Sequence, residues 1–315
     1  MTIKTFNYSV KDKNKSEFFE TDYELELEVP ASFIEKKSLL TNIKMGTREW
    51  AKKEVNCIKG CSTYCLYCYA KGIAKHYKRC IEETWKNMEI NWSVVNKNYG
   101  RVRKKGFQPY DIMFPTSHNI IIDEPYFSAC TTILKKLLDS GNTVLVTLKP
   151  SLNVVKSLCE LFQNYREAMT FRFTIGSTNS NLLKVLEINA PSFEERLESL
   201  KYATIKGFNT SISIEPLLDP TPFKLIEKLE SHLPLLNYER DIGTIWIGLL
   251  KTQYIPINLR KGDVKELLKH LYPKMQFEHV YHYYEKLYDH PRIKWKESIV
   301  KMMILNDIKV KGLTA

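Results

Sequence analysis

DIMFPTSHNIIIDEPYFSACTTILKKLLDSGNTVLVTL, residues 111 to 148, contains one complete unit of a fold. It begins with an apolar run, DIMFPT (111–116), and ends with a β-branched one, TVLVTL (143–148). Both are nearly continuous in apolarity, as strands buried on both faces of a parallel sheet are. Between them Asp123-Glu124-Pro125 opens a helix with an N-cap, an acidic first turn and a proline where no amide donor is needed, and Ser140-Gly141-Asn142 closes it. Strand, helix and strand in this order make a βαβ unit.

The alternation continues outward. MTFRFTIG (169–176), TSISIEP (210–216) and TIWIGLL (244–250) read as further strands, and one more before Cys57 brings the number to six. A second helix begins at Ser192, where Ser192 and Glu195 have the spacing of a capping box; it carries Phe193, Leu197 and Leu200 on one face and ends at Gly207. The expected fold class is α/β, a partial (βα)6 TIM-type barrel over residues 46–250 with an N-terminal β extension (1–45) and a helical C-terminal extension (251–315). The first extension holds one alternating segment, Tyr23-Glu24-Leu25-Glu26-Leu27-Glu28-Val29, which reads as an edge or hairpin strand. The second, rich in Tyr, Lys and Trp, is expected to close one side or mouth of the barrel.

Composition bounds the function. With 43% hydrophobic residues in 315, the chain can bury a large core and is not a disordered segment. No apolar run approaches the roughly 20 residues that a spanning helix needs, and MTIKTFNYSVKDKNKSEFF lacks the apolar segment of a secretory signal, so a cytoplasmic protein with no membrane partner is expected. A net charge of +11 creates a field that attracts polyanions, which makes nucleic acid a candidate substrate or partner. The basic stretch KNYGRVRKKGF (97–107) adds to that, although a solvated loop has the same composition.

Four of the seven cysteines crowd between positions 57 and 68, too bunched for a disulfide framework in a chain this long, and in a reducing compartment such bunching points to metal. The spacing Cys61-x3-Cys65-x2-Cys68 wraps three thiolates around one small object. A [4Fe-4S] cluster normally takes four cysteines, so three leave one iron open to an external ligand. The rival is a four-cysteine zinc site that also uses Cys57. Zinc ribbons pair two-residue-spaced cysteines at two separated places, however, and positions 57, 61, 65 and 68 supply one such pair. Cys57 reads as a buried thiol at the end of the first strand, with a role as alternate ligand left open.

Cys-x3-Cys-x2-Cys with Tyr67 before the last cysteine resembles the radical S-adenosylmethionine superfamily. The longer string N-x3-G-C-x3-C-x-Y-C-Y-A, starting at Asn56, is similar to the branch of spore photoproduct lyase and DNA-repair-photolyase-like proteins. Thr147-Leu148-Lys149, Phe171-Arg172-Phe173-Thr174, Ala190-Pro191-Ser192 with Glu195-Arg196-Leu197, and Gly207 followed by a strand ending in Pro216 occur in the same order in that branch, so the resemblance covers roughly residues 45–250. It implies a cluster on Cys61, Cys65 and Cys68 and S-adenosylmethionine as cofactor. Reductive cleavage to a 5′-deoxyadenosyl radical follows, with hydrogen abstraction from a substrate and an external electron donor of flavodoxin or ferredoxin type. It further implies Lys149 at the cofactor's carboxylate, Thr174 at its ribose, and the backbone around Tyr67 and Glu215 at its adenine. Each has a plain structural use too: Lys149 can cover a following helix, Thr174 can face the core, and Glu215-Pro216 can end a strand.

The chain departs from the pattern after strand two. The Gly-Gly-Glu motif that many members use for the methionine amine is replaced by Pro115-Thr116-Ser117-His118, which makes Thr116 and Ser117 the cofactor-binding candidates there. In spore photoproduct lyase a hydrogen-donating cysteine precedes a comparable Thr-Ser turn; Pro115 stands in that place here, which argues against thymine-dimer repair. Cys130, the next cysteine, falls in the following helix and reads as core. His118 is the candidate catalytic residue, since a strand-end histidine exchanges protons near neutral pH, although it can equally cap a turn. Tyr110 and Tyr254 are candidate stacking platforms or radical relays, although with 18 tyrosines present neither stands out.

Overall fold

The apolar runs become strands because their β-branched and aromatic side chains bury on both faces of a sheet. In this computed structural model, which describes residues 36, 38–41, 43–251, 253 and 262–310, the chain divides into two compact units, Met1–Ile43 and Lys44–Ala315. In the first, residues 38–41 are helical; the alternating segment at 23–29 lies outside the described residues.

The second unit starts with β1 (Ala51–Glu54), a small antiparallel ribbon of β2 (Ile58–Lys59) and β3 (Glu89–Ile90), and the helices α1 (Tyr69–His76) and α2 (Trp92–Asn96). Then come β4 (Tyr110–Phe114), α3 (Tyr126–Asp139), β5 (Val144–Leu148), α4 (Leu152–Leu161), β6 (Met169–Thr174), α5 (Ser180–Leu186), α6 (Phe193–Ile205), β7 (Asn209–Ile214), α7 (Phe223–Glu230) and β8 (Ile245–Ile247). The segment expected to be purely helical supplies α8 (Gly262–Leu271), α9 (Phe277–Lys286), a further strand β9 (Ile293–Trp295) and α10 (Glu297–Leu305). One sheet runs β1-β4-β5-β6-β7-β8-β9, every neighbouring pair parallel. At three residues, β9 is too short to announce itself among the surrounding helices.

The sheet curls into an open barrel. β1 and β8 are five steps apart in the order, which at about 4.8 Å per step would set them about 24 Å apart if the sheet were flat. Trp50, just before β1, instead meets Trp246 of β8 edge to face with ring centroids 5.6 Å apart. Helices cover the outside, with Ile133, Leu134 and Leu137 of α3 and Val155 and Leu158 of α4 fully buried. Local signals hold in part. Ser192 Oγ accepts the Glu195 N–H at 3.2 Å, but the Glu195 carboxylate turns away to the Leu152 N–H at 3.0 Å, so the capping box forms by half. Helix α3 begins after Pro125 without a side-chain cap, and Glu124 accepts the Ser128 N–H at 3.3 Å.

Charge fills the barrel interior where apolar side chains would be expected. The Arg172 guanidinium of β6, fully buried, pairs with the buried Asp241 carboxylate, donates to Ser211 Oγ at 2.9 Å and lies over the Trp50 ring at 4.4 Å. Asp241 also receives the Trp246 indole N–H at 3.0 Å and the Lys294 ammonium at 2.9 Å. Higher up, the seam between β1 and β9 is bridged by side chains: Lys296, just after β9, lies 2.9 Å from Glu49 and 3.9 Å above the Trp50 ring.

Asp241→Ala leaves Arg172 as a buried charge without its main partner, and a stability loss of about 3–5 kcal/mol is expected in urea denaturation; a loss under about 1 kcal/mol would contradict the pairing. Glu49 yields a pH dependence. Burial pushes its carboxyl up from 4.5 to about 8, against the pull of Lys296. The folded chain therefore keeps a proton there that the unfolded chain releases, so Glu49 favours folding below about pH 4.5 and that contribution is lost as pH rises through about 8. Glu49→Gln cannot titrate. Its melting temperature relative to the native protein should climb between about pH 5 and about pH 9, whereas a constant offset would mean that Glu49 is ionised throughout.

Candidate active site

The cysteine loop is a tight turn pinned from two sides. Gly60 has φ +86, and a Cβ there would sit 2.7 Å from the Trp85 carbonyl oxygen and 2.8 Å from that of Asn87, so only glycine fits. Beyond it the Cys61 N–H donates to the Trp85 carbonyl at 2.9 Å. Cys68 ends the loop by capping α1, its sulfur accepting the Lys71 N–H at 3.4 Å. From the other side, the segment after α5 staples the loop: the Leu66 N–H reaches the Leu186 carbonyl at 2.9 Å, and Asn189 holds the carbonyls of Ser62 and Thr63.

Cys61, Cys65 and Cys68 open onto a cavity of about 520 Å³ whose walls are the residues at the strands' C-terminal ends. Glu54 ends β1; Pro115 to Asn119 follow β4, Lys149 follows β5, Thr174 ends β6, Glu215 follows β7, Leu249 and Lys251 follow β8, and Lys296 and Glu297 follow β9. Parallel strands put all these ends on one face, which is where barrel sites lie. Cys61 and Cys65 are buried and Cys68 half-buried, and burial pushes the Cys65 thiol up to about 12 against the attraction of Lys149.

Every candidate cofactor residue reaches this cavity. Lys149 is held by its backbone, with its N–H donating to Asn119 Oδ1 at 3.0 Å and its carbonyl accepting from Asn119 Nδ2 at 3.1 Å. Its ammonium lies 3.7 Å from Glu187 and 5.5 Å over the Tyr67 ring. Burial alone would lower its pKa, but Cys65 and Glu187 outweigh that and keep it charged. Tyr67 lines the cavity and donates its hydroxyl to Glu187; Thr174 lines it and accepts the Arg196 guanidinium at its carbonyl, 3.1 Å away; Glu215 lies 3.5 Å from Lys296. Thr116 and Ser117 also face it, yet their N–H groups are already directed at Asn56 Oδ1, at 2.7 and 2.9 Å.

Glu187 organises this side of the site and was absent from the sequence candidates. It is buried, receives Tyr67 and Arg196 and faces Lys149. Burial opposes its charge, but Lys149 and Arg196 overcome that and hold its carboxyl below the ordinary carboxylate range. The one sequence signal is an acid closing the otherwise apolar end of α5, and no spacing links it to the cysteines.

His118 lines the cavity, and both of its ring nitrogens meet buried neighbours. Nδ1 lies 3.1 Å from the Asn119 carbonyl, and Nε2 lies 3.4 Å from the Cys57 N–H and 3.9 Å from the Cys57 sulfur. Cys57 and Cys130 are both buried, as expected. Tyr110 sits in the barrel interior with its hydroxyl donating to the Arg240 carbonyl at 2.9 Å, away from the cavity walls, and Tyr254 lies outside the described residues. The basic stretch leads into β4 at the strands' N-terminal end, opposite the cavity, with Arg103, Lys104, Lys105 and Phe107 exposed. Among the described residues no helix is long and apolar enough to cross a membrane.

No family model matches the chain. It is similar to ORF301 of Acidianus two-tailed virus, 23% identical over 250 residues that cover 77% of this chain and 79% of that protein. It is also similar to MJ0683 of Methanocaldococcus jannaschii, 24% identical over 175 residues covering 53% and 61%. Among solved structures it is similar to Streptococcus suis SuiB bound to the precursor peptide SuiA, with a TM-score of 0.45, 12% identity and coverage of 90% of this chain and 58% of SuiB. With SuiB bound to S-adenosylmethionine the TM-score is 0.38 at 10% identity, covering 88% and 55%. The chain spans little more than half of SuiB's length.

Proposed function

We propose that this protein is a radical S-adenosylmethionine enzyme, with a [4Fe-4S] cluster on Cys61, Cys65 and Cys68 and S-adenosylmethionine beside it across the strand ends. What carries this is the cysteine trio opening onto the same cavity of about 520 Å³ that the parallel strand ends wall. The donor set fits a cluster better than a single ion. A tetrahedral zinc site with bonds of about 2.3 Å draws its sulfurs to about 3.8 Å. Among the described residues the group whose donor atoms all lie within 4.8 Å is a different one, Cys57, His118 and Cys130, and three cysteines around a larger opening suit a multinuclear centre.

When bound, the cluster supplies the electron that cleaves the sulfonium to a 5′-deoxyadenosyl radical. The chain's own residues bind and orient. Lys149, fixed by Asn119 and held charged by Glu187, is placed to neutralise a carboxylate. Thr174 and Glu215 offer polar contacts at neighbouring strand ends, and Thr116 and Ser117 do so after β4. Leu148 and Leu249, buried in the walls, keep water from a reactive species. Outside, α1 exposes Tyr69, Ile73 and Tyr77 beside Lys78 and Arg79 just past Cys68, a surface suited to a small acidic electron carrier of flavodoxin or ferredoxin type.

Anaerobic purification should yield a brown protein with about four irons per chain, and Cys65→Ala should abolish both the colour and dithionite-dependent 5′-deoxyadenosine. Zinc in place of iron, colourless and lost in Cys65→Ala, would instead identify a zinc-stabilised binding protein. Substrate class is read from binding. For a nucleic acid, a +11 chain should lose affinity steeply as salt rises from about 50 to about 200 mM, and a failure to bind DNA or RNA at any salt excludes that class.

A further inference from the structure

Three buried ligand side chains meet outside the cysteine loop. Cys57 comes from the segment after β1, His118 from the loop after β4 and Cys130 from α3, separated in sequence by up to 73 residues. All three are buried, and their donor atoms lie within 4.8 Å of one another. The Cys57 and Cys130 sulfurs are 3.9 Å apart, and His118 Nε2 is 3.9 Å from the Cys57 sulfur. Tetrahedral zinc with bonds of about 2.3 Å to sulfur and about 2.05 Å to nitrogen sets these edges at about 3.8 and about 3.6 Å. Two edges thus come close to those one small ion would set, and the third, from His118 to Cys130, lies within 4.8 Å.

The histidine is oriented for this role. Its Nδ1 lies 3.1 Å from the Asn119 carbonyl, an acceptor that places the proton on Nδ1 and leaves the Nε2 lone pair facing the sulfurs. Besides the sulfur, Nε2 meets a long hydrogen bond of 3.4 Å from the Cys57 N–H, which an ion can displace at small cost. The Phe114 ring, 6.0 Å away and edge to face, holds the imidazole plane. The backbone of Cys57 is fixed in turn by its carbonyl, which accepts the Asn91 N–H at 2.8 Å.

We infer that Cys57, His118 and Cys130 form a second metal site, which takes a single zinc ion in the wall of the cavity. Two thiolates and one imidazole are a soft, nitrogen-tolerant set that suits zinc. Binding exchanges the two thiol protons for Zn²⁺, so a pair of S–H groups becomes an electrically neutral ZnS2 unit, acceptable at full burial. Three protein ligands leave the fourth position to water or another small ligand. The ion joins the start of the cysteine loop to the β4 loop and α3, and His118, as part of the cavity wall, couples it to the site. This assignment does not depend on the [4Fe-4S] cluster.

The test separates the two centres. Cys61→Ala/Cys65→Ala/Cys68→Ala removes the proposed cluster ligands, so any iron chromophore is gone, and the full-length variant is titrated anaerobically with Zn²⁺ and with Co²⁺ as optical probe. About one ion per chain should bind, with the intense thiolate-to-cobalt bands of a tetrahedral site. Adding Cys130→Ser or His118→Ala should weaken binding by at least about tenfold, while circular dichroism stays unchanged. Should the triple variant fail to fold, zinc analysis of the chain with all cysteines intact, against Cys130→Ser alone, reads the same site. No bound zinc or cobalt in either background, metal binding that Cys130→Ser leaves untouched, or a Cys57–Cys130 disulfide that persists under reducing purification would each overturn the assignment. Zinc without iron that survives Cys65→Ala and is lost in Cys130→Ser would defeat the cluster and spare this site; iron without zinc would do the reverse.

Discussion

The Arg172 guanidinium has no route to water, and the curled sheet is arranged around that fact. Its charge is met by Asp241, its flat faces by Trp50 and Trp246, and its Nε by Ser211. These partners come from the residue before β1, from β7 and β8 and from the turn before β8, so one cation is enclosed by groups from distant strands of the curled sheet. Without Asp241, Arg172 would stand buried and unpaired, at a cost of several kcal/mol. Curling has a consequence at the opposite end. Among the described residues, seven parallel strands converge on one mouth with β1 and β9 unpaired to each other, and Glu49, Lys296 and the Trp50 ring make contact across that seam.

The mouth is organised by a second buried charge. Glu187 faces Lys149 from β5, Arg196 from α6 and the hydroxyl of Tyr67 in the cysteine loop. Two cations around one carboxylate leave net positive charge beside Cys65, where an anionic metal cluster or a carboxylate ligand would be stabilised. Because the same segment also holds the loop backbone through Leu186 and Asn189, loop geometry and local potential are set by one stretch of chain. On the other flank Asn56 performs a similar service, tying the loop entrance to Thr116 and Ser117.

Much of this was legible from residue order. Strands such as Val144–Leu148 and Met169–Thr174 announce themselves because both faces are buried, which leaves continuous apolar runs. Gly207, at φ +77, marks a helix end by local conformational need alone. Where a side chain's partner is distant the signal fails. Glu195 has capping-box spacing but bonds Leu152 instead, and His118, placed at a strand end where proton exchange is expected, turns its ring to Cys57. The three-residue strand β9 has too little length to carry a pattern and exists because β8 offers it an edge.

Sequence by itself determined the alternation of strand and helix and the three-cysteine spacing, since each depends on neighbours a few bonds away. Tertiary structure alone decided the rest: that Glu187 should stand against Lys149 and Arg196, that Arg172 should be enclosed by tryptophans from the far strands, and that Cys57, His118 and Cys130 should converge. Apart from Glu187–Arg196, those contacts join residues that the chain separates by tens of positions, and the packing of the folded sheet brings them within reach.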